Sequence, residues 1–374
     1  MKNMKKALPL LLVLCMLAAL SVSAFAEGKT FENYLLITDS IGVYCGVPAP
    51  NNPHIAVYSH PNQTFPGTYS ELLKNDQSLG IHTITSCAHP GWRVQEALYA
   101  LGGADYTSDY ILKYAGDTAE RMKTYSQSHY VQALENADLI TINLGFNNIM
   151  QAFIYGLYTA FEQEGIAFEG SKLDKAAMEA LNRLKENTGD VEAFVTLLGA
   201  LETMERGTVL IKNALKMMPE AIRGFEKSWD ELMERISQVN RKNAAILVLG
   251  LYNPMDDVIK FNLGSKLGDG ALKKITDTTA WLLKEATDPT VDAMNRYLRS
   301  GNRHAHDYVF VDVDDVELSG TKDGVHLGDA GHQYFYEQMK NAIVTHFIPE
   351  SVPATKTTPA GLLGKLFSGL KNLF

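Results

Sequence analysis

A serine at the end of an apolar run is the first place where this chain offers chemistry. Tyr34, Leu35, Leu36, Ile37 and Thr38 lead into Asp39, Ser40, Ile41 and Gly42, so the run reads as a buried strand that delivers Ser40 to the mouth of a turn. A hydroxyl there becomes a nucleophile only if a base lies within hydrogen-bond reach and donors face the attacked carbonyl oxygen. Late in the chain, Asp323-Gly324-Val325-His326 stands before a helical stretch over 333–346. A carboxylate of this kind can fix the tautomer of an imidazole whose other nitrogen faces the serine, and a spacing of three lets both side chains turn the same way. Asp312, Asp314 and Asp315 compete for the orienting role, and His332 follows closely. Each residue also has a plain reading: Ser40 as a helix N-cap, His326 and His332 as solvated loop histidines. His54, His60, His82 and His89 lack the spacing of metal ligands.

The elements that must position these groups follow from hydrophobic patterning. Apolar runs over 34–38, 81–87, 138–144, 244–249 and 308–313 read as five strands, with helical segments between them. Strands this apolar describe a parallel sheet covered on both faces. The expected architecture is therefore doubly wound α/β, with ligand sites beyond the carboxyl ends of the strands. Pro90-Gly91-Trp92-Arg93 follows the second strand, and Gly145-Phe146-Asn147-Asn148 follows the third. Alone, Gly91 would serve a turn, Asn147 would cap the next helix, and Trp92 and Arg93 would either touch a substrate or, the preferred reading, pack.

About 95 residues over 149–243 carry no strand signal, against roughly 30 for an ordinary strand–helix–strand unit. Helical patterning fills them, with Gly189 and Pro219 as breakers, so a helical insertion is expected beside the third strand's tip. It would either wall the site or thicken one face of the sheet. A further helix is expected over 271–285.

Taken together, the Asp39-Ser40 pair, Gly91, the 145–148 stretch and the Asp323/His326 pair fall in the order of one family. The chain resembles the SGNH, or GDSL-type, serine hydrolases from about residue 31 to 347, outside the insertion and tail. The resemblance implies a flavodoxin-like, three-layer α/β/α sandwich on a five-stranded parallel sheet. It implies Ser40 as nucleophile, His326 as general base and acid, and Asp323 as the orienting carboxylate. The oxyanion donors would be the Ser40 and Gly91 backbone N–H groups and the Asn147 amide. No metal or organic cofactor is required. Two positions depart from the family pattern: Thr38 replaces its leading glycine, and Asn148 replaces an aspartate.

Composition sets the surroundings. Residues 1–26 carry Lys2, Lys5 and Lys6, then an apolar block, then Ala24-Phe25-Ala26, which reads as a secretory signal cleaved near Ala26. The block is shorter than the roughly 20 residues of a membrane span. Removing it takes three lysines and no acid from 34 basic and 43 acidic residues, which leaves a net charge of −12. That balance argues against nucleic acid as a partner. Cys45 and Cys87 would then remain in a compartment that tolerates a disulfide. The expected organisation is a signal peptide at 1–26, a hydrolase domain at 27–348, and a linker with an amphipathic tail at 349–374. The tail's apolar stripe suits a membrane surface or a partner. By family analogy the activity is a secreted esterase acting through an acyl-enzyme, with an O-acetylated carbohydrate as the substrate guess. A lipase or lysophospholipase is the enzymatic rival, and a non-catalytic surface- or carbohydrate-binding protein the other.

Overall fold

Six residues, Asn33–Thr38, form the first strand (β1), and all but the first are buried. A strand buried on both faces needs neighbours on both sides and layers above and below. The computed structural model supplies them; it describes residues 31–43, 65–103, 127–166, 170–186, 190–254, 271–301, 307–318 and 324–348. After β1 come α1 (Ser40–Val43), α2 (Tyr69–Asn75), β2 (Thr83–Ala88), α3 (Val94–Ala100), α4 (Gln127–Asn136) and β3 (Leu139–Asn143). Then follow α5 (Phe146–Gln163), α6 (Lys172–Glu186), α7 (Val191–Thr203), α8 (Gly207–Leu215) and α9 (Met218–Val239). The chain continues through β4 (Ala245–Leu249), α10 (Ala271–Arg299), β5 (Val309–Val311) and α11 (Asp329–Phe347).

The five strands are parallel in the order β2-β1-β3-β4-β5. The chain moves outward from β1 to β2, then returns to the other side of β1 to lay down β3. This reversal leaves a crevice at the carboxyl ends of β1 and β3, where doubly wound sheets bind ligands. Thr38 pairs with Asn143 there, so the residues that follow both strands emerge side by side.

Period-2 alternation sorts the strand residues between the two covering layers. Leu35, Ile37, Cys87, Ile140, Ile142 and Val248 face one core, shared with apolar residues of α3 to α10. The insertion's helices thus belong to the layer on this face, with α9 packed against both α3 and α5. Tyr34, Leu36, Thr38 and Thr141 face the other way, where the Tyr34 hydroxyl meets Thr141 Oγ1 at 2.6 Å. On that side Tyr69 of α2 is fully buried, packs its ring on Phe335 of α11 at 5.7 Å, and donates to Thr38 Oγ1 at 3.4 Å. The result is the α/β/α sandwich expected from the strand pattern. Residues 30–340 form one compact unit. Of the second unit, residues 341–348 are described: the helix runs to Phe347, and Ile348 N–H closes it on the Ile343 carbonyl at 3.2 Å.

Two helices differ from the pattern-based reading. The helix expected over 271–285 continues to Arg299 through Pro289. Proline removes one backbone bond, but Val291, Met294 and Leu298 beyond it are buried, and that packing holds the helix together. Pro219, read as a breaker, instead sits in the first turn of α9, where its missing N–H has no helical partner to lose. Cys87 is a free thiol buried in the core, and burial pushes its pKa up. Cys45 lies outside the described residues, as do the signal segment and the tail.

Candidate active site

The turn after β1 is built by the side chain that precedes the serine. Asp39 is 2% exposed, and its Oδ1 accepts the Ile41 N–H at 2.9 Å, bending the chain from strand directly into α1. Ser40 opens that helix half-buried, at the crevice end of β1. Thr38, the last residue of β1, is accommodated by its neighbour. A Cβ at Gly42 would lie 2.6 Å from both Thr38 Cγ2 and the Tyr69 hydroxyl, so the side chain at 38 occupies space left free at 42.

After β2 the chain makes a tight turn, with Trp92 N–H on the His89 carbonyl at 3.1 Å. Pro90 and Gly91 are its central residues, and Gly91 has φ +83°, a conformation that costs glycine little. The turn is pinned from α5: Gln151 Nε2 donates to the Gly91 carbonyl at 3.0 Å, and Asn147 Nδ2 donates to the Trp92 carbonyl at 3.1 Å. Arg93 is wholly buried. Its backbone N–H and guanidinium both bind Glu96, at 2.7 and 2.6 Å, in a capping box that starts α3. Arg93 is therefore part of the scaffold.

Two residues beyond β3, at the start of α5, Gly145 has φ +136° and is packed so closely that a Cβ would meet Phe225 at 2.9 Å. Asn147 then points its amide at the tip of β1, where Nδ2 donates to Asp39 Oδ2 at 2.9 Å as well as to Trp92 O. Two acceptors fix which end of the amide is nitrogen, and both of its hydrogens are used. Asn148 takes the role of a bridge: its Oδ1 accepts the Val94 N–H at 3.3 Å, and its Nδ2 donates to Gln95 Oε1 at 2.9 Å. An aspartate there would keep the first bond and would need the Gln95 amide turned round, Nε2 inward, to keep the second.

His326 approaches from the other side of the sheet's end. It is 7% exposed, in a turn held to the tip of β4 by the Tyr252 hydroxyl, which donates to the Val325 carbonyl at 2.7 Å. Its charge acts on the Asp39 carboxyl. Burial raises the pKa of Asp39 from 3.8 to about 6, and the Ile41 N–H, His326 and Asn147 each oppose that rise. Asp323 lies outside the described residues. Asp312 and Asp314, its competitors in the sequence, pair with Arg299 beside β5, and Asn295 donates to Asp314 at 2.8 Å. His326 and His332 are both buried, contrary to the plain reading of solvated loop histidines. His332, within α11, accepts the Tyr69 N–H on Nδ1 at 3.3 Å.

The structure thus gathers Asp39, Ser40, the Gly91 turn and Asn147 at the ends of β1 to β3, with His326 in electrostatic reach of Asp39. It adds Gln151 and Gln95, which the sequence reading missed. Gln151 lies one helical turn beyond Asn147, on the same face of α5, and that spacing is a signal that could have found it. Among the described residues, no group of His, Cys, Asp or Glu could hold a metal ion.

No family model and no curated protein matches the chain. Similar solved structures include a protein described as a GDSL-like lipase from Parabacteroides merdae, 13% identical, covering 85% of this chain and 97% of that one with a TM-score of 0.40. They also include the acetylxylan esterase Axe2 from Geobacillus stearothermophilus, 15% identical, covering 87% and 99% with a TM-score of 0.32. It is the chain's own strand order, with the crevice between β1 and β3, that defines its fold.

Proposed function

We propose that this chain is a serine esterase that cleaves carboxylic esters through an acyl-enzyme, exported by its N-terminal signal. The observation that carries the reading is the junction at Asp39: the residue next to Ser40 is bonded to Asn147 and lies in the field of His326. Three loops and the turn before α11 are thereby drawn to one crevice. In the proposed reaction Ser40 Oγ attacks the ester carbonyl carbon while His326 accepts its proton. The carbonyl π electrons move to oxygen, and the Ser40 and Gly91 N–H groups with the Asn147 amide bind the oxyanion. Collapse of this intermediate expels the alcohol, which takes the proton from His326. Water, deprotonated by the same imidazole, then releases the acid. Asp323 orients the imidazole throughout. The substrate we favour is an O-acetylated carbohydrate, on the strength of export and the acidic surface.

One observation favours a second reading, a binding protein on a hydrolase fold: both hydrogens of the Asn147 amide already have acceptors. In the esterase reading, Nδ2 exchanges one of them for the oxyanion, a stronger acceptor because it is charged. Turnover of p-nitrophenyl acetate, butyrate and a long-chain ester by the mature protein and by Ser40→Ala separates the two. Loss of activity in the variant supports the esterase, and preference for acetate separates a deacetylase from a lipase. Equal turnover by both proteins removes Ser40 as nucleophile.

A further inference from the structure

Asp39 is a carboxylate buried more deeply than any chemistry assigned to it explains. It neither attacks nor transfers a proton in the reaction proposed above, and its place in a hydrophobic sheet end costs stability. A residue kept where it is costly to folding is a candidate for function. Its bonds say which function. Oδ1 accepts the Ile41 N–H at 2.9 Å and so sets the turn that presents Ser40, while Oδ2 accepts Asn147 Nδ2 at 2.9 Å and so sets the amide.

We infer that Asp39 is a positioning residue of this site, holding the nucleophile turn and the Asn147 amide in register with one carboxylate. The inference rests on the esterase reading and deepens it. One oxygen holds the turn after β1 and the other the amide after β3, so the carboxylate links the tips of the two strands. A link of this kind matters because misplacement of about 1 Å at a reacting centre costs roughly 100-fold in rate. The same carboxylate is a negative charge near the imidazole that must become an imidazolium in the transition state. The titratable groups that face it are His326 from the turn before α11 and Tyr69 from α2, whose phenol burial holds protonated.

Substitution by asparagine tests both roles. An amide at 39 keeps one acceptor and turns the other oxygen into a donor, which meets either the Ile41 N–H or the Asn147 amide head-on. Asp39→Asn is expected to lower kcat for p-nitrophenyl acetate roughly 10- to 100-fold with KM little changed. With the negative charge gone, the imidazole loses its proton more easily, so the acid limb of the kcat/KM profile moves to lower pH. A merely structural role would leave that limb in place. Asp39→Ala, which presents no misplaced donor, is the second variant and shifts the limb in the same direction. An unchanged kcat and an unchanged limb in either folded variant overturn the inference. If wild type turns over no faster than Ser40→Ala, the esterase reading falls first and takes this inference with it.

Discussion

Replacing Asp39 by asparagine also makes a prediction about folding that needs no substrate. Burial raises its pKa from 3.8 to about 6 in the folded chain. At about 1.4 kcal/mol per pH unit this corresponds to about 3 kcal/mol. The sign follows from where the proton sits. Below the unfolded value the carboxyl is protonated in both states, and its contribution to stability is fully present. As pH rises, the unfolded chain releases the proton first, and the contribution is lost by the time pH passes about 6. Asparagine does not titrate, so the wild-type stability minus that of Asp39→Asn should fall by about 3 kcal/mol between pH of about 4 and 8. Titrating groups that do not sense Asp39 cancel in the difference, which leaves its own titration and the response of His326 to its charge. Urea unfolding at intervals across that range, with equal m-values for the pair, measures it directly. A difference that stays flat with pH would mean that Asp39 is not a buried carboxylate of raised pKa.

Other expectations follow from the same packing. Arg93→Ala strips the partner from Glu96, an ion pair exposed by no more than 1% on either side, and should cost about 3–5 kcal/mol in urea unfolding. Replacing both residues by leucine should cost far less, and an equal cost would show that the charge is not what matters. Gly42→Ala forces a Cβ to 2.6 Å from Thr38 and Tyr69 and should destabilise by about 1–3 kcal/mol. In a Thr38→Gly background the same change should cost less, since only the Tyr69 contact remains, and an equal cost in both backgrounds would sink the account of how Thr38 is accommodated. Asn148→Ala leaves the buried Val94 N–H without its acceptor and should cost about 1–3 kcal/mol, read as a lower melting midpoint.

The sheet was legible because its strands are apolar on both faces, and a run such as Leu139–Asn143 has few other fates. The position of Ser40 was legible for the same reason, since a strand that ends in Asp-Ser must deliver both residues to its tip. Pro289 was misleading because local propensity forbids what Val291, Met294 and Leu298 enforce through burial. Arg93 and Asp39 gave no sequence signal of their depth, because a charge is expected outside unless its partner is known, and those partners are set by folding. The partner of Asp39 sits 108 residues away, at Asn147. Asn148 was visible in the sequence, but its bond to Gln95 depended on where α3 lies.

The account stands on Ser40 being activated by His326 at one crevice. Reaction of the mature protein with a fluorophosphonate, followed by peptide mass spectrometry, tests this most directly, because such reagents phosphonylate a serine only when a base activates it. One adduct on the Ser40 peptide, strongly diminished in His326→Ala, is the predicted result. No adduct, or an adduct on another residue that His326→Ala leaves intact, would contradict it.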